Sequence, residues 1–283
     1  HHRQRQRQRQ WRGGHFSWDL FSLIWCSEPT PLVSIITPTY NSAIYVSATL
    51  ASVGAQEFQD WEHIIVDDAS SDETVSLLHE LSAEDPRIKV IALEQNSGAA
   101  VARNTAIDAA RGRFIAFLDA DDLWLPQKLA VQVEYMLKTG APFICSSYNV
   151  IDEQGNHCGT VTVPERVTYK KILRNNTIGC LTAVYDTDYF GKVQMPLIRK
   201  RQDLGLWLKL LKRVRHAHGL NESLAQYRIR PGSISHNKVS AAKSTWKLYR
   251  HIEKLPLPVA VYYFLSYATN GVIKNYLARR PDT

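Results

Sequence analysis

The sequence predicts an α/β protein with a Rossmann-like, mostly parallel sheet, helices on both of its faces and a C-terminal helical extension. Short β-branched runs alternate with helical stretches from Leu32 onward, which is typical of a doubly wound sheet. The run from Phe114 to Leu118 is wholly apolar, as a central parallel strand requires. With 283 residues, 45% of them hydrophobic, the chain can bury a full core without a metal or disulfide staple.

Four strands are expected in the first part of the chain, separated by three helices, because apolar runs of strand length alternate there with stretches of helical periodicity. The second helix places Val75, Leu78 and Leu81 on one face. The strands are predicted over residues 32–37, 62–67, 88–93 and 114–118, and the helices over residues 44–53, 73–81 and 98–110.

The third predicted helix is rich in alanine and is followed by Gly112, which we expect to act as its C-terminal stop. Beyond the fourth strand, residues 148–151 and 159–163 are expected to form a hairpin around a polar turn. A further strand is predicted over residues 178–185. These later elements would form the second half of the same domain.

The charge of the chain is divided between its parts. The formal net charge is +7, but residues 31–198 carry −9 and residues 199–283 carry +13. A nucleic-acid-binding domain would more naturally carry its positive face on the folded core. We therefore expect no nucleic-acid partner, and the basic last third needs another explanation.

Acidic or turn-forming residues follow three of the predicted strands. The first strand leads into Thr37 to Asn41, the second ends in Asp67 and Asp68, and the fourth runs into Asp119, Ala120 and Asp121. Each cluster alone is ordinary turn or helix-cap chemistry. At the carboxyl ends of neighbouring strands, however, they would converge on one crevice and repel one another unless a cation or a nucleotide lay between them. The sequence thus predicts a nucleotide site with Mg²⁺ or Mn²⁺ at Asp121 and Asp119.

Several enzyme classes are disfavoured by the absence of their motifs. The chain has no G-x-x-x-x-G-K-[ST] loop and no G-x-G-x-x-G after a strand, which argues against a P-loop NTPase or a nicotinamide-dependent enzyme. A nucleotidyltransferase would normally show a basic, glycine-rich loop after the first strand, where this chain has Thr-Pro-Thr-Tyr-Asn. A non-enzymatic protein that binds a nucleotide or a membrane surface through the basic last third remains an alternative.

The cysteines and the hydropathy pattern bear on location. The four cysteines form no C-x-x-C pair, which favours free thiols in a reducing compartment such as the cytoplasm. No run of 18 apolar residues occurs, so we expect no transmembrane helix.

Four segments occur in order along the chain: VSIITPTYN, IIVDDASSDET, NSGAAVARNTAIDAARGRFIAFLDADDLWLP and RQDLGLWLKLL. Together they resemble the inverting glycosyltransferases of family 2, which have the GT-A nucleotide-sugar fold. The later segments NTIGCLTAVYD and YRIRPGSISHNK are similar to the bacterial teichuronic acid and surface-polysaccharide subgroup. The resemblance covers about residues 31–254. It implies a metal-dependent enzyme that moves a single sugar from a nucleotide-sugar, favouring a UDP-sugar.

The resemblance also implies roles for individual residues on the donor side. Pro38 and Tyr40 would lie against the nucleotide, with Tyr40 near the uracil ring. Asp68 would contact the uracil, and Asp67 the neighbouring part of the nucleoside. Residues of the third helix and of the D-x-D segment complete the donor-binding set, namely Arg103, Asn104, Asp119 and Ala120. Of the two aspartates of the D-x-D segment, Asp121 would be the more direct metal ligand.

Asp203, in RQDLGLW, matches the catalytic base of the family. Without the resemblance it would be assigned as a helix N-cap, because it precedes an apolar helical run. The two roles are compatible, since the positive end of a helix and the basic residues 199–201 beside it would keep the carboxylate ionised. An acceptor hydroxyl held by Asp203 would then attack the anomeric carbon with inversion.

The basic last third has two interpretations. Lysines and arginines, Arg228 and Arg230 among them, surround the apolar and aromatic residues 255–268, so this stretch is expected to lie on an anionic membrane surface or to pack as an ordinary helix on the core. The first interpretation places the protein peripherally on the inner face of the cytoplasmic membrane, with a lipid-linked saccharide or glycan as acceptor. Arg230 and His236 would then touch a phosphate.

The expected domain organisation follows from these assignments. Residues 1–30 would be a disordered or adventitious extension, and residues 31–230 a GT-A domain with a nucleotide-sugar half (31–125) and an acceptor half (126–230). Residues 231–283 would form a basic, aromatic helical region. Trp124 and Trp207 could stack on sugar rings, but burial is the favoured interpretation for both.

Overall fold

The computed structural model describes residues 29–230 and 238–277, except the side chains at 238–239 and 270–277. From Pro31 onward the described residues belong to one compact unit. Almost all of the expected extension over residues 1–30 lies outside the described part, and so does His236.

The strands of the described part form one mixed sheet. Their pattern agrees with the short apolar runs of the sequence, and each of the four strands expected before residue 120 is present. They are β1 (Val33–Thr39), β2 (Trp61–Asp67), β3 (Ile88–Ala92), β4 (Phe114–Phe117), β5 (Leu123–Trp124), β6 (Phe143–Ile151), β7 (His157–Val161), β8 (Arg166–Val167), β9 (Val184–Asp186) and β10 (Ala217–Arg228).

The helices cover both faces of the sheet and extend the chain at its C-terminal end. A 3₁₀ turn (Cys180–Thr182) and a π-helical turn (Leu248–Ile252) interrupt the regular pattern. The α-helices are α1 (Val46–Gly54), α2 (Thr74–Glu84), α3 (Ala99–Ala109), α4 (Lys128–Thr139), α5 (Tyr169–Arg174), α6 (Thr187–Phe190), α7 (Gln202–Leu211), α8 (Lys238–Lys247) and α9 (Leu257–Leu277).

The sheet order is β3-β2-β1-β4-β9-β6-β10-β5, with β7 on β6 and β8 on β10. The first four of these strands are parallel, which confirms the expected doubly wound half. Strand β9 is antiparallel to both β4 and β6, and β5 is antiparallel to β10. The carboxyl ends of β1, β2 and β4 therefore open onto one crevice, as the strand-end rule requires.

The core lies on both faces of the central strands. Trp207 of α7 is fully buried, with its ring centroid 5.5 Å from that of Phe117 and 5.4 Å from that of Phe143. Trp124 is also buried, and its indole N–H donates to the carbonyl oxygen of Leu181 at 2.8 Å. Burial is thus the correct interpretation for both tryptophans. Because Trp207 anchors α7, the residues at the start of that helix have a fixed position relative to β4.

The prediction of a strand over residues 178–185 is wrong in its first part. Cys180–Thr182 form a 3₁₀ turn, and only the last residues continue as β9. The reason is that side chains donate hydrogen bonds to the carbonyl oxygens of this segment. The indole N–H of Trp124 donates to the carbonyl oxygen of Leu181, and the amide of Gln132 donates to the carbonyl oxygen of Thr182 at 2.8 Å. These bonds hold the turn against β5 and α4.

The role expected for Gly112 also needs correction. Helix α3 ends at Ala109, and the next residue, Ala110, has an extended backbone. A Cβ at Gly112 would lie 2.6 Å from the backbone nitrogen of Ser34, a distance that real Cβ atoms do not adopt. Glycine is therefore required there because the chain passes close to β1, and the helix stops without it.

Candidate active site

Asp67, the last residue of β2, is fully buried, and both of its carboxylate oxygens accept hydrogen bonds. One carboxylate oxygen accepts from the hydroxyl of Thr39 at 2.9 Å and from that of Ser70 at 2.5 Å, while the other accepts from the backbone N–H of Ser70 at 2.8 Å. Asn41 and Ala69, in the loops that follow β1 and β2, both have positive φ angles. Asp67 thus ties two strained loops together at the rim of the crevice.

Asp68 fixes the start of α3. Its two carboxylate oxygens accept from the backbone N–H groups of Ser97 at 2.6 Å and Gly98 at 2.8 Å. Gly98 is the residue that precedes α3 and has a φ of 93°, a conformation that glycine adopts without strain. A carboxylate at a helix N-terminus is also favoured by the helix dipole. Asp68 therefore orients the helix that carries Arg103.

The D-x-D segment after β4 is neutralised by arginines. Asp119, whose side chain is 30% exposed, accepts from a terminal nitrogen of Arg103 at 2.5 Å. Asp121 lies 2.7 Å from the Nε of Arg230. Burial, then the negative charge of Asp119, raises the pKa of Asp121, and the guanidinium of Arg230 opposes that rise. Both carboxylates are paired, yet both side chains remain partly exposed.

The backbone of this segment is held from two sides. The hydroxyl of Thr49 in α1 contacts the carbonyl oxygens of Ala120 and Asp122, each at 2.9 Å. From the other side, the backbone N–H of Arg228 donates to Asp122 at 2.9 Å. Burial, followed by the charges of the two neighbouring aspartates, raises the pKa of Asp122 well above its usual value. Asp122 therefore belongs to the support of the D-x-D segment.

These residues fit a divalent cation that also has ligands from a substrate. Within the described residues, no three acidic, histidine or cysteine side chains cluster so as to hold a metal ion by themselves. Mg²⁺ and Mn²⁺ commonly take one or two carboxylates and complete their shell with phosphate oxygens and water. The raised pKa of Asp121 shows that its anionic form is disfavoured as it stands, which a nearby cation would relieve.

Asp203 differs from all of these acids because it has no partner among the described residues. It is the second residue of α7, and the N-cap position belongs to Arg201, which has a φ of 68°. The helix-cap interpretation of Asp203 therefore does not apply. Within the described residues, its half-buried carboxylate takes part in no hydrogen bond and no ion pair. It remains available to an incoming ligand.

The buried thiol of Cys180 is affected by charged residues from both sides of the crevice. Burial raises the pKa of Cys180 well above its usual value, and the charges of Asp119 and Asp203 raise it further, against the effect of Arg103. Burial likewise raises the pKa of Tyr148 to about 12, with smaller contributions that include Asp203. Asp203 therefore acts on the same small volume as the D-x-D segment.

The remaining predicted residues lie at the crevice in different ways. Tyr40 is 50% exposed just after β1, whereas Pro38 is half-buried within that strand. Ala120 is buried and presents its carbonyl oxygen to Thr49. Asn104 is turned elsewhere, because its amide exchanges hydrogen bonds of 3.0 and 2.8 Å with the backbone of Met195. A donor-binding role for Asn104 stays a prediction that its geometry does not favour.

Sequence reasoning missed several residues of the site. Arg228 was assigned only to the basic C-terminal region, and Arg230 was expected to touch a phosphate but not an acid of the site. Both lie beside the D-x-D segment, with their guanidinium carbons 5.5 Å from the ring centre of Tyr45. Thr49 and Cys180 gave no signal because a hydroxyl and a thiol are common in buried positions. The one available signal was the short R-I-R spacing, which places two arginines on the same side of an extended chain.

Comparison with known sequences gives a consistent result. Residues 34–192 match the family model described as "Glycosyl transferase family 2". TuaG of Bacillus subtilis (strain 168), whose name assigns it to teichuronic acid biosynthesis as a glycosyltransferase, is 47% identical over 245 residues, covering 86% of this chain and 97% of TuaG. WfgD of Escherichia coli, named UDP-Glc:alpha-D-GlcNAc-diphosphoundecaprenol beta-1,3-glucosyltransferase, is 39% identical over 246 residues, covering 86% and 95%.

Solved structures show the same fold. TarS 1–349 of S. aureus in complex with UDP-GlcNAc superposes with a TM-score of 0.68 at 21% identity, over 83% of this chain and 71% of TarS. The mannosyltransferase PcManGT from Pyrobaculum calidifontis, in complex with GDP-Man and Mn²⁺, superposes with a TM-score of 0.61 at 18% identity, over 89% and 76%. The expected GT-A fold is confirmed.

Proposed function

We propose that this chain, which belongs to glycosyl transferase family 2, moves one sugar from a UDP-sugar to a lipid-linked saccharide during synthesis of a bacterial surface polysaccharide, with inversion at the anomeric carbon. One observation carries the proposal. Asp203 is an acid of the crevice with no partner in the described part of the chain, and its charge acts on the same residues as the D-x-D segment. A free carboxylate opposite a charged donor site is the arrangement that direct displacement needs.

The donor side would hold the nucleotide by shape and by charge. The exposed ring of Tyr40 offers a surface for the uracil, and the bonds of Asp67 and Asp68 hold the surrounding loops rigid. A UDP-sugar is favoured because WfgD is named for UDP-glucose and TarS binds UDP-GlcNAc. Rigid donor loops lower the entropic cost of ordering the nucleotide.

Asp121, with Asp119 beside it, would hold Mn²⁺ or Mg²⁺ together with oxygens of the diphosphate. Such a cation would supply positive charge that stabilises the departing UDP. Arg103, whose Nε is buried without a hydrogen-bond partner in the described part of the chain, keeps Asp119 in place through its terminal nitrogen. An oxygen of the bound donor would satisfy that N–H.

The chemical step follows from the position of Asp203. An acceptor hydroxyl would donate to the carboxylate and attack the anomeric carbon from the face opposite the diphosphate. The bond from that carbon to the phosphate oxygen breaks, UDP leaves, and the proton of the hydroxyl passes to Asp203. Because α7 is anchored by buried Trp207, the carboxylate keeps its orientation during the reaction.

The acceptor is proposed to be a saccharide carried on a lipid diphosphate at the inner face of the cytoplasmic membrane. The name of WfgD includes such an acceptor. Helix α9 supports the location, because one of its faces is buried through Ala260 and Tyr263, whereas apolar side chains are exposed on the other. The exposed set comprises Leu257, Val259, Val261, Tyr262 and Leu265.

Basic residues lie next to this exposed face. The guanidinium carbon of Arg174 is 5.5 Å from the ring centre of Tyr262, and Lys170 and Lys171 of the same short helix are exposed. Apolar side chains beside cations suit the interface of an anionic bilayer. Among the described helices, none has the length and apolar character needed to cross a membrane.

Membrane docking is tested by sedimentation with vesicles that contain about a third anionic phosphatidylglycerol. The wild-type protein should sediment with them, and Leu265→Glu should weaken that binding about tenfold. Leu137→Glu, an equally exposed leucine on α4, is the matched control and should bind as the wild type does. Equal binding of all three proteins would remove the docking role of α9.

The enzymatic proposal is tested with UDP-glucose, Mn²⁺ and a GlcNAc-diphosphate-lipid acceptor. A β-linked product from the α-linked donor, formed by the wild type and lost in Asp203→Asn, supports it. If the wild type binds vesicles but neither binds UDP nor transfers any of several UDP-sugars, the alternative of a non-enzymatic membrane-surface protein is favoured instead.

A further inference from the structure

Two arginines at the end of β10 have different kinds of partner. Arg228 is buried and fixed by backbone groups: its Nε donates to the carbonyl oxygen of Asp121 at 3.0 Å, and a terminal nitrogen donates to those of Glu153 at 2.9 Å and Asp152 at 3.3 Å. Uncharged carbonyl oxygens of the folded chain do not leave when a ligand arrives. Arg228 is therefore a permanent part of the framework.

Arg230, two residues further on, has one charged partner. Its Nε lies 2.7 Å from a carboxylate oxygen of Asp121 and makes no hydrogen bond of good geometry in the described part of the chain. The side chain of Arg230 is 36% exposed, and its guanidinium also contacts the ring face of Tyr45. Among the described residues, this group is held by the charge of Asp121 and the ring of Tyr45, so it can move when that charge is taken by another cation.

We infer that Arg230 is a resident counter-ion for Asp121, which leaves it for the donor diphosphate when a divalent cation binds. This inference rests on the proposed donor site. One carboxylate cannot favourably hold a guanidinium and a divalent cation together, because the two cations repel each other at that distance. The diphosphate supplies the negative charge that the displaced guanidinium then requires.

The charge balance of the site supports this exchange. Asp119 and Asp121 are matched by Arg103 and Arg230, so these four side chains together carry no net charge. A divalent cation alone would add two positive charges to this set, and the negative charge of the UDP diphosphate would offset them. Metal and UDP must therefore strengthen each other's binding, and by linkage the factor is the same in both directions.

Arg230→Gln separates this role from a purely structural one. Free Mn²⁺ is measured by its electron paramagnetic resonance signal during titration of the full-length protein without nucleotide, and UDP affinity is measured by calorimetry at saturating Mn²⁺. The variant should bind Mn²⁺ about fivefold more tightly without UDP, and UDP about fivefold more weakly with Mn²⁺ present. Arg230→Lys, which keeps the positive charge, should lie between the variant and the wild type in both titrations.

The matched control is Arg166→Gln, an exposed arginine on β8, which pairs with the opposite end of β10. It removes the same charge from the protein and should leave both affinities unchanged. If Arg230→Gln leaves Mn²⁺ affinity unchanged or lowers it, while the wild type binds both ligands, the exchange is wrong but the donor site stands. If the wild type binds neither Mn²⁺ nor UDP, the donor site and the exchange both fall.

Discussion

The acids on the two sides of the crevice differ in their partners. On the donor side, Asp67 and Asp68 accept backbone and hydroxyl hydrogen bonds, and Asp119 and Asp121 are paired with arginines. On the acceptor side, Asp203 has no hydrogen bond or ion pair among the described residues. The same residue type therefore serves as framework on one side of the crevice and, in the function we propose, as a proton acceptor on the other.

We infer from this difference that loop stabilisation and proton acceptance are assigned to different acids. Carboxylates that accept several hydrogen bonds stabilise the native loops. A carboxylate without partners adds little to stability, but it can accept a proton from a bound hydroxyl. Identical substitutions on the two sides should therefore have opposite consequences for stability and for turnover.

The largest effect is expected for Asp203→Asn. Removal of a general base typically costs about 10² to 10⁴ in rate, so turnover should fall about 10³-fold. The melting temperature should stay within about 1 °C of the wild type, because no hydrogen bond is lost. Steady-state kinetics and calorimetric melting check both statements. A variant that melts well below the wild type would show that Asp203 also has a structural role.

Asp67→Asn is the same substitution on the donor side and should act through stability. The amide cannot accept all three bonds of the carboxylate, so the variant should lose about 2 kcal/mol of unfolding free energy. The melting temperature would then fall by about 5 °C. Differential scanning calorimetry beside Asp203→Asn makes the comparison direct. Equal melting temperatures for the two variants would contradict the expected difference between the two sides of the crevice.

The donor side should also respond to acid through His63 in β2. Its Nε2 lies 2.8 Å from the hydroxyl oxygen of Thr37, and burial lowers its pKa to about 3. An unfolded histidine takes up a proton near pH 6.5, so the unfolded state binds more protons between those values. Stability should therefore fall as the pH drops below about 6.5, by up to about 1.4 kcal/mol per pH unit from this group.

Urea unfolding at pH 7.5 and pH 5 tests the contribution of this histidine. His63→Gln should be less sensitive to acid than the wild type, whereas His157→Gln, on the exposed strand β7, should not. Equal acid sensitivity of His63→Gln and the wild type would assign the pH dependence to other groups.

The smallest effect is expected for Thr49→Val, which keeps the shape of the side chain and removes the hydroxyl that supports Ala120 and Asp122. Stability should fall by about 1 kcal/mol and UDP affinity with Mn²⁺ by about fivefold. Thr105→Val on α3 is the control, since that hydroxyl bonds only within its own helix. Unchanged UDP affinity in Thr49→Val would show that the D-x-D segment is positioned without it.

The parts of the fold that could be predicted from the sequence are those with a local signal. The apolar runs that became β1, β2 and β4, and the acids that follow them, are visible because strand periodicity and strand-end chemistry are encoded by neighbouring residues. The start of α7 near Asp203 was visible for the same reason. Its exact cap was not, because Arg201 adopts a positive φ that no propensity rule favours.

The rest depends on contacts between residues far apart in the chain. Asn104 is bonded to Met195, and Cys180 lies in a turn held by Trp124. Arg230 reaches Asp121 across more than a hundred residues. The periodicity of a single sequence carries no information on such pairs, so the sequence indicated which residue types the site contains but not which of them are already paired.

The central claim is that binding and chemistry are divided between the paired and the free acids. Calorimetric titration of UDP in the presence of Mn²⁺ tests it most directly, with the wild type, Asp121→Asn and Asp203→Asn side by side. We predict that Asp203→Asn binds UDP within about twofold of the wild type and that Asp121→Asn binds at least about tenfold more weakly. Loss of UDP binding in Asp203→Asn, or full retention in Asp121→Asn, would contradict the account.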